Sequence, residues 1–217
     1  MSFPIVVLIS GSGSNLQALI DQSLQGELDI NICAVISNKA DAYGLERAKL
    51  AGIATHALNH KSFGSREEFD SELQKTIDQY QPKLVVLAGF MRILTETFTK
   101  HFEGRMLNIH PSLLPKYKGL NTHQRAIDAN DTKHGVSVHF VSSELDAGAI
   151  ILQASTSIEK EETAETLAVK VHALEYIIYP LAVKWFREDR LTLHNGHVIL
   201  DGETLPESGI RYQKVLT

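Results

Sequence analysis

The chain has 217 residues, 43% hydrophobic and 22% charged, with a formal net charge of −5. This is an ordinary globular mix, long enough to bury roughly 70% of the unfolded surface without staples, and its acidity argues against a general nucleic-acid surface. One cysteine, Cys33, excludes an internal disulfide, no apolar run reads as the ~20 residues of a membrane span, and the start lacks the basic region of a signal peptide.

Taken in chain order, strands alternate with helices. Ile5–Ile9 is a continuous apolar run, the pattern of a strand buried on both faces. Leu16–Leu24 has helical spacing, and Ile30–Ile36 is the next strand, where Cys33 is expected to be a buried, inert thiol. Tyr43–Ala51 reads as a helix capped by Gly52, and Ile53–Leu58 as a strand. Ser65-Arg66-Glu67-Glu68 is a capping box, and Phe69, Leu73, Ile77 and Tyr80 continue at helical spacing. Leu84–Ala88 is another buried strand, followed by a short helix from Glu96 to His101 and a strand over Arg105–Ile109. A loop, Pro111–Asn121, leads to a helix from Thr122 to Ala129.

In Gly135–Val141 the apolar residues Val136, Val138 and Phe140 alternate, and Ala149–Ile158 can pair back on that strand. Thr163 to Arg187 is a long helix that Pro180 should kink. Leu193–Val198 reads as a hairpin on an Asn195-Gly196 type I′ turn, and the remainder as a tail. The whole is an α/β fold: a doubly wound, mostly parallel twisted sheet with helices on both faces and antiparallel additions in the C-terminal half. In such sheets ligands sit beyond the carboxyl ends of the strands.

Two strand ends carry candidate chemistry. Ser10-Gly11-Ser12-Gly13-Ser14-Asn15 links the first strand to the first helix, and glycines at a helix start suit a phosphate. It is a poor dinucleotide fingerprint, because Leu16 stands where a third glycine belongs and Ser37-Asn38 where a ribose-binding acid belongs. A phosphate monoester therefore suits it better than NAD or ATP; the bland alternative is a tight turn capped by Ser14 or Asn15. At the other end, Asn108 and His110 alternate onto one side of their strand before Pro111 ends it. An amide beside an imidazole can stabilise a developing oxyanion. An aspartate within reach, such as Asp146 in Leu145-Asp146-Ala147-Gly148, would favour the charged ring. Asn-x-His alone is more often structural; its surroundings must decide.

Together these stretches resemble the folate-dependent formyltransferases, within them the small branch of purine synthesis. The likeness spans about residues 4–200 and rests on Val6–Gly11, Ser37–Asp41, Val86–Leu94 and Asn108 through Tyr117. It implies a Rossmann-like formyltransferase domain over 1–200, a phosphate-loop half of about 1–100, a folate and catalytic half of about 101–200, and a tail at 201–217. It implies that 10-formyltetrahydrofolate, a cosubstrate, gives its formyl group to the amine of glycinamide ribonucleotide, with no metal and no NAD. Asn108, His110 and Asp146 then match the catalytic trio. Gly13, Ser14 and Asn15 match the phosphate loop, and Glu175 a substrate-binding carboxylate. Arg66, Met91, Arg92, Ile93 and Leu94 match folate contacts, as do Asn108, Ser142, Ser143, Glu144, Leu145 and Asp146.

Lys116 and Lys118 are offered as partners for the folate's glutamate carboxylates, and Pro111–Asn121 as a lid. Asn121 departs from the histidine expected of some relatives, and the role of His139 is open. The spacings His56/His60 and His194/His197 lack the acidic or cysteine ligands of a metal site. A methionyl-tRNA formylating enzyme is expected to carry a further C-terminal domain and more positive charge, and a formyl-folate hydrolase a further N-terminal one. A non-catalytic folate- or nucleotide-binding module is the alternative of a different class. The expected protein is cytoplasmic, a monomer or weak homodimer, with small-molecule partners, no nucleic acid and no membrane.

Overall fold

The computed structural model describes residues 3–212. The chain separates into two compact units, residues 1–108 and 109–217. The boundary falls inside the strand Met106–His110.

The first unit holds β1 (Phe3–Ile9), α1 (Ser14–Leu24), β2 (Ile30–Ser37), α2 (Tyr43–Leu50), β3 (Ala54–Ala57), α3 (Arg66–Asp78), β4 (Leu84–Leu87), α4 (Glu96–His101) and the start of β5 (Met106–His110). Its strands are parallel: β1 pairs with β2 and β4, β2 with β3, and β4 with β5. The order is therefore β5-β4-β1-β2-β3, and the winding direction reverses between β1 and β4. Ligands favour the crevice at such a reversal. It puts the segments after β1 (from Ser10) and after β4 (from Ala88) side by side, joined by the Ser10 N–H donating to Gly89 O at 3.0 Å. Central β1 is covered on both faces, with Ile5 to Ile9 fully buried, which is why its run shows no alternation.

Helix α3 starts as expected, the Ser65 hydroxyl accepting from Glu68 N. The return bond differs: Glu68 Oε2 accepts from Gly64 N, one residue before the cap. Cys33 is half-buried on β2 rather than buried, and burial still pushes its thiol pKa up, which keeps it inert.

The second unit holds the end of β5, α5 (Thr122–Asp128), β6 (Lys133–Phe140), β7 (Ile150–Ser157), α6 (Ala164–Arg187), β8 (Leu191–His194), β9 (His197–Leu200), β10 (Glu203–Thr204) and β11 (Ile210–Arg211). β6 and β7 are antiparallel, and β8, β9 and β10 form a separate small sheet. Asn195 and Gly196 both have positive φ, 49° and 79°, as the type I′ turn between β8 and β9 requires. Residues 201–212 are not a tail: β10 pairs with β9, and β11 adds parallel to β7. The part of the expected tail at 213–217 lies outside the described residues.

Helix α6 continues through Pro180 and corrects the expectation about apolar runs. Its 24 residues are long and apolar enough to cross a membrane, by length and composition. Leu167, Val171 and Ile178 are fully buried and the helix packs on β6 and β7, the behaviour of a core helix. The fold is the mostly parallel, helix-flanked Rossmann-like sheet with antiparallel strands added in the C-terminal half.

Candidate active site

Strand β5 carries Asn108 half-buried and His110 buried, on the same side by alternation, with Ile109 between them. His110 Nδ1 stands 3.3 Å from Asp146 Oδ2, the two side chains 7% and 8% exposed. His110 Nε2 donates to Tyr117 O at 2.9 Å. Both ring nitrogens thus face acceptors, and the doubly protonated ring is the form that satisfies both. The same Asp146 oxygen accepts from Gly119 N at 2.9 Å, tying the loop to the pair.

Local backbone explains how Asp146 gets there. Asp146 itself takes a left-handed φ of 48°. Two residues on, a Cβ at Gly148 would run into Phe140 O at the end of β6. The turn closes only with glycine there, and it presents the carboxylate back toward β5.

His139, unassigned from sequence, completes the cluster: its Nε2 is 3.9 Å from Asp146 Oδ1, and its Nδ1 donates to Phe140 O at 2.8 Å. Burial pushes the His139 pKa down, against the pull of Phe140 O and Asp146. The only sequence signal for His139 was its alternation away from Val138 and Phe140. Tyr117 O and Gly119 N were missed because backbone atoms carry no residue identity.

The loop after His110 is partly braced. Ser137 Oγ donates to Ser112 O at 2.6 Å and accepts from Leu114 N, while buried Gln153 Nε2 donates to Leu114 O at 2.9 Å. A lid beginning at Pro111 would have to break these bonds, and beyond Lys116 Tyr117 O, Lys118 O and Gly119 N are held as well, by His110, Arg125 and Asp146. Lys116 itself grips Asp131, 2.9 Å from both carboxylate oxygens, and is already engaged; Lys118 is exposed. Asn121 takes the left-handed φ of 56° just before α5, a conformation asparagine tolerates. A cavity of about 340 Å³, lined by Lys116, His134, Gln153 and Arg211 among others, does not include the trio.

His134 Nε2 lies 3.1 Å from His123 Nδ1. Burial, then the neighbouring His123, lowers the His134 pKa to about 4. With His139 also lowered, the unfolded chain binds more protons than the native one between about pH 6.5 and 4. The stability that depends on these two neutral histidines is therefore present above pH 6.5 and lost as the pH falls toward 4. The displacement of His134 alone, from 6.5 to about 4, corresponds to about 3 kcal/mol. Urea unfolding at pH 7.5, 6, 5 and 4 should show this decline, and His134→Asn should flatten it; an equal slope in the variant contradicts the assignment.

In the first unit, α1 starts from Gly13 at φ 70° and ψ 31° with no side-chain cap, so neither Ser14 nor Asn15 caps it. Arg47 Nε donates to Ser12 O at 2.8 Å and Gly44 N to Gly11 O at 3.0 Å, holding the loop against α2. Asn38, at the position of the missing ribose acid, accepts from Ser10 Oγ at 2.6 Å. On the 90–95 segment, Met91 and Ile93 are exposed and Leu94 is buried. Arg92 lies over the Phe69 ring at 5.7 Å, and Arg66 is exposed on the first turn of α3. In the second unit, Ser143, Glu144 and Leu145 are exposed just before Asp146, with Ser142 Oγ donating to Glu144 O. Glu175 is 4% exposed on α6, which rules out a surface carboxylate at the edge of its helix face. His56 bonds Tyr80 and His60 bonds Asn38, and no group of three or more metal-ligating side chains occurs among the described residues.

Comparison with known proteins agrees with this geometry. The formyl transferase family matches residues 4–183. The chain is 53% identical to phosphoribosylglycinamide formyltransferase of Escherichia coli K12 over 205 residues, 94% of this chain and 97% of that protein. It is 46% identical to the human trifunctional purine biosynthetic protein adenosine-3 over 89% of this chain but 19% of that longer protein. The solved phosphoribosylglycinamide formyltransferase of Coxiella burnetii superposes with a TM-score of 0.95 at 59% identity, covering 98% of this chain and 100% of that one. A paired His110 and Asp146 on the expected fold, with identity sustained across nearly the full length of the Escherichia coli and Coxiella burnetii proteins, leads to one assignment: this chain belongs to the formyl transferase family.

Proposed function

We propose that this chain transfers the formyl group of 10-formyltetrahydrofolate to the amine of N1-(5-phospho-D-ribosyl)glycinamide, releasing the N-formyl product and tetrahydrofolate. The observation that carries the reading is the 3.3 Å His110–Asp146 pair on a strand end that also bears Asn108, in a chain half-identical to a bacterial phosphoribosylglycinamide formyltransferase.

The substrate amine attacks the formyl carbon, and the carbonyl oxygen takes the negative charge. Asn108 Nδ2 and the protonated His110 ring donate to that oxygen. The Nε2–H of His110, engaged by Tyr117 O in this structure, exchanges that carbonyl for the substrate oxygen. Asp146 holds the ring's orientation and charge. Collapse breaks the bond from the formyl carbon to N10 of the folate. The proton lost by the amine reaches that nitrogen through His110 and a water.

The uncapped start of α1 at Gly13, Ser14 and Asn15 takes the ribonucleotide phosphate, and Glu175 the glycinamide end. Met91 to Leu94, Arg66 and Ser142 to Asp146 contact the folate, with Lys118 left for its glutamate carboxylates.

Purified protein should convert formyl-folate to tetrahydrofolate only when glycinamide ribonucleotide is present, read by product absorbance. Consumption without the ribonucleotide makes the chain a hydrolase, and no turnover with both makes it a binding module.

A further inference from the structure

Residues 90–95 form no regular structure, yet they display two large apolar side chains to solvent, Met91 at 63% and Ile93 at 51% exposure. A chain segment of that kind ordinarily folds its apolar groups away or moves. Here it is fastened at both ends by buried side chains from elsewhere in the first unit. Met91 N donates to Ser10 Oγ at 2.7 Å. Thr95 N donates to Asp70 Oδ2 at 2.6 Å. Ser10 and Asp70 are 4% and 2% exposed. Between the fastenings Leu94 is turned inward, as is Phe90 just before them.

The first fastening is itself oriented. The Ser10 hydroxyl hydrogen goes to Asn38 Oδ1 at 2.6 Å, which turns an oxygen lone pair toward Met91 N. The Asn38 amide nitrogen is in turn 3.2 Å from His60 Nδ1. The second fastening is a carboxylate that burial disfavours in its charged form. Thr95 N and the charges of Arg66 and Arg92 favour that form. Two buried polar groups spent on two amides of one short loop is more than chain connection requires.

We propose that Ser10, oriented by Asn38, and Asp70 are positioning residues that hold residues 91–94 as a preformed apolar platform for the folate ring. The inference rests on reading residues 91–94 as folate contacts. A preordered loop binds more tightly because its ordering is not charged to the binding step.

Three measurements test it. In the wild-type protein, amide exchange followed by NMR should be at least about 100-fold slower at Met91 and Thr95 than at Arg92 and Ile93. By calorimetry, Ser10→Ala and Asp70→Ala should weaken 5,8-dideazafolate, a redox-stable folate, by about tenfold or more. The Kd for glycinamide ribonucleotide should stay within about threefold in Asp70→Ala, whose site lies on α3 away from the glycine loop. Asp70→Asn keeps an oxygen for Thr95 N and should restore most of the folate affinity, which a generally destabilised fold would not do.

Folded Ser10→Ala and Asp70→Ala proteins with folate affinity within twofold of wild type overturn the positioning role. So do unprotected amides at Met91 and Thr95, a result that decides the matter even if an alanine variant fails to fold. Failure of the wild-type protein to bind the dideazafolate at all overturns the folate reading, and the platform with it. Shifts of the 91–94 amide resonances on folate addition, with unaltered affinity in the variants, overturn the positioning role alone.

Discussion

His110→Ala is expected to lower kcat by about 10²–10³-fold or more, with the Kd of both ligands within a few-fold of wild type. The ring is buried and its two nitrogens are committed to Asp146 and Tyr117 O. In the proposed mechanism alanine removes the imidazole that donates to the developing oxyanion, while the backbone bonds of the strand do not depend on the ring. Asp146→Asn tests the other half of the pair. The amide oxygen can still accept from Gly119 N, so the loop stays tied, but the charge that favours the protonated ring is gone. A kcat loss of up to about 10⁴-fold is expected, the loss when the aspartate of a Ser-His-Asp triad becomes asparagine. The two residues act as a unit, so the double variant should lose little more than His110→Ala alone. Steady-state and ligand-binding measurements on the same preparations check all three. Near-wild-type turnover from a folded His110→Ala protein that binds both ligands would remove the imidazole from the mechanism.

Much of this pair was legible before any coordinates. Alternation alone puts Asn108 and His110 on one side of their strand, and Pro111 marks its end. The long-range partner was not legible from spacing. Asp146 lies 36 residues from His110, and only the turn forced by Gly148 against Phe140 O brings it back. The likeness of whole stretches to a known family supplied that partner, not periodicity.

In the first unit β1, β2, α1 and α3 are legible because each has an apolar run or a helical apolar period, which short β3 and α4 lack. Strands β10 and β11 are not legible, because two residues carry no period, and so an ordered C-terminal stretch reads as a tail. Helix α6 is legible as a helix from its spacing, but Lys170 and Glu175 break its apolar run, so its apolar length is not. Charge at the site was least visible of all. Lys116 is spent on Asp131 and Glu175 is buried, and a sequence records neither pairing nor burial.

The glycine loop gives the second large effect, and here backbone geometry decides it. Gly13→Ala should destabilise the protein by about 2–4 kcal/mol and raise the KM for the ribonucleotide more than about tenfold. Gly13 sits at φ 70°, a region that costs an L-residue about 1–2 kcal/mol. An added Cβ would also stand 2.6 Å from the Cα of Gly44. That atom is backbone of α2 and has no rotamer by which to withdraw. Nor can the loop move aside, because Gly11 O and Ser12 O are held by Gly44 N and Arg47 Nε, and Arg47 Nη1 also bonds Gln17 Oε1 on α1. Relief must come from shifting the start of α1, which carries the N–H groups proposed to meet the phosphate. Gly11→Ala provides the contrast for stability: no heavy atom lies within 4 Å of its added Cβ, so its unfolding free energy should change by less than about 1 kcal/mol. Urea unfolding of both variants separates strain from mere loss of a glycine. A Gly13→Ala protein as stable as Gly11→Ala would mean that the contact with Gly44 does not constrain the loop, and an unchanged ribonucleotide KM would place the phosphate elsewhere.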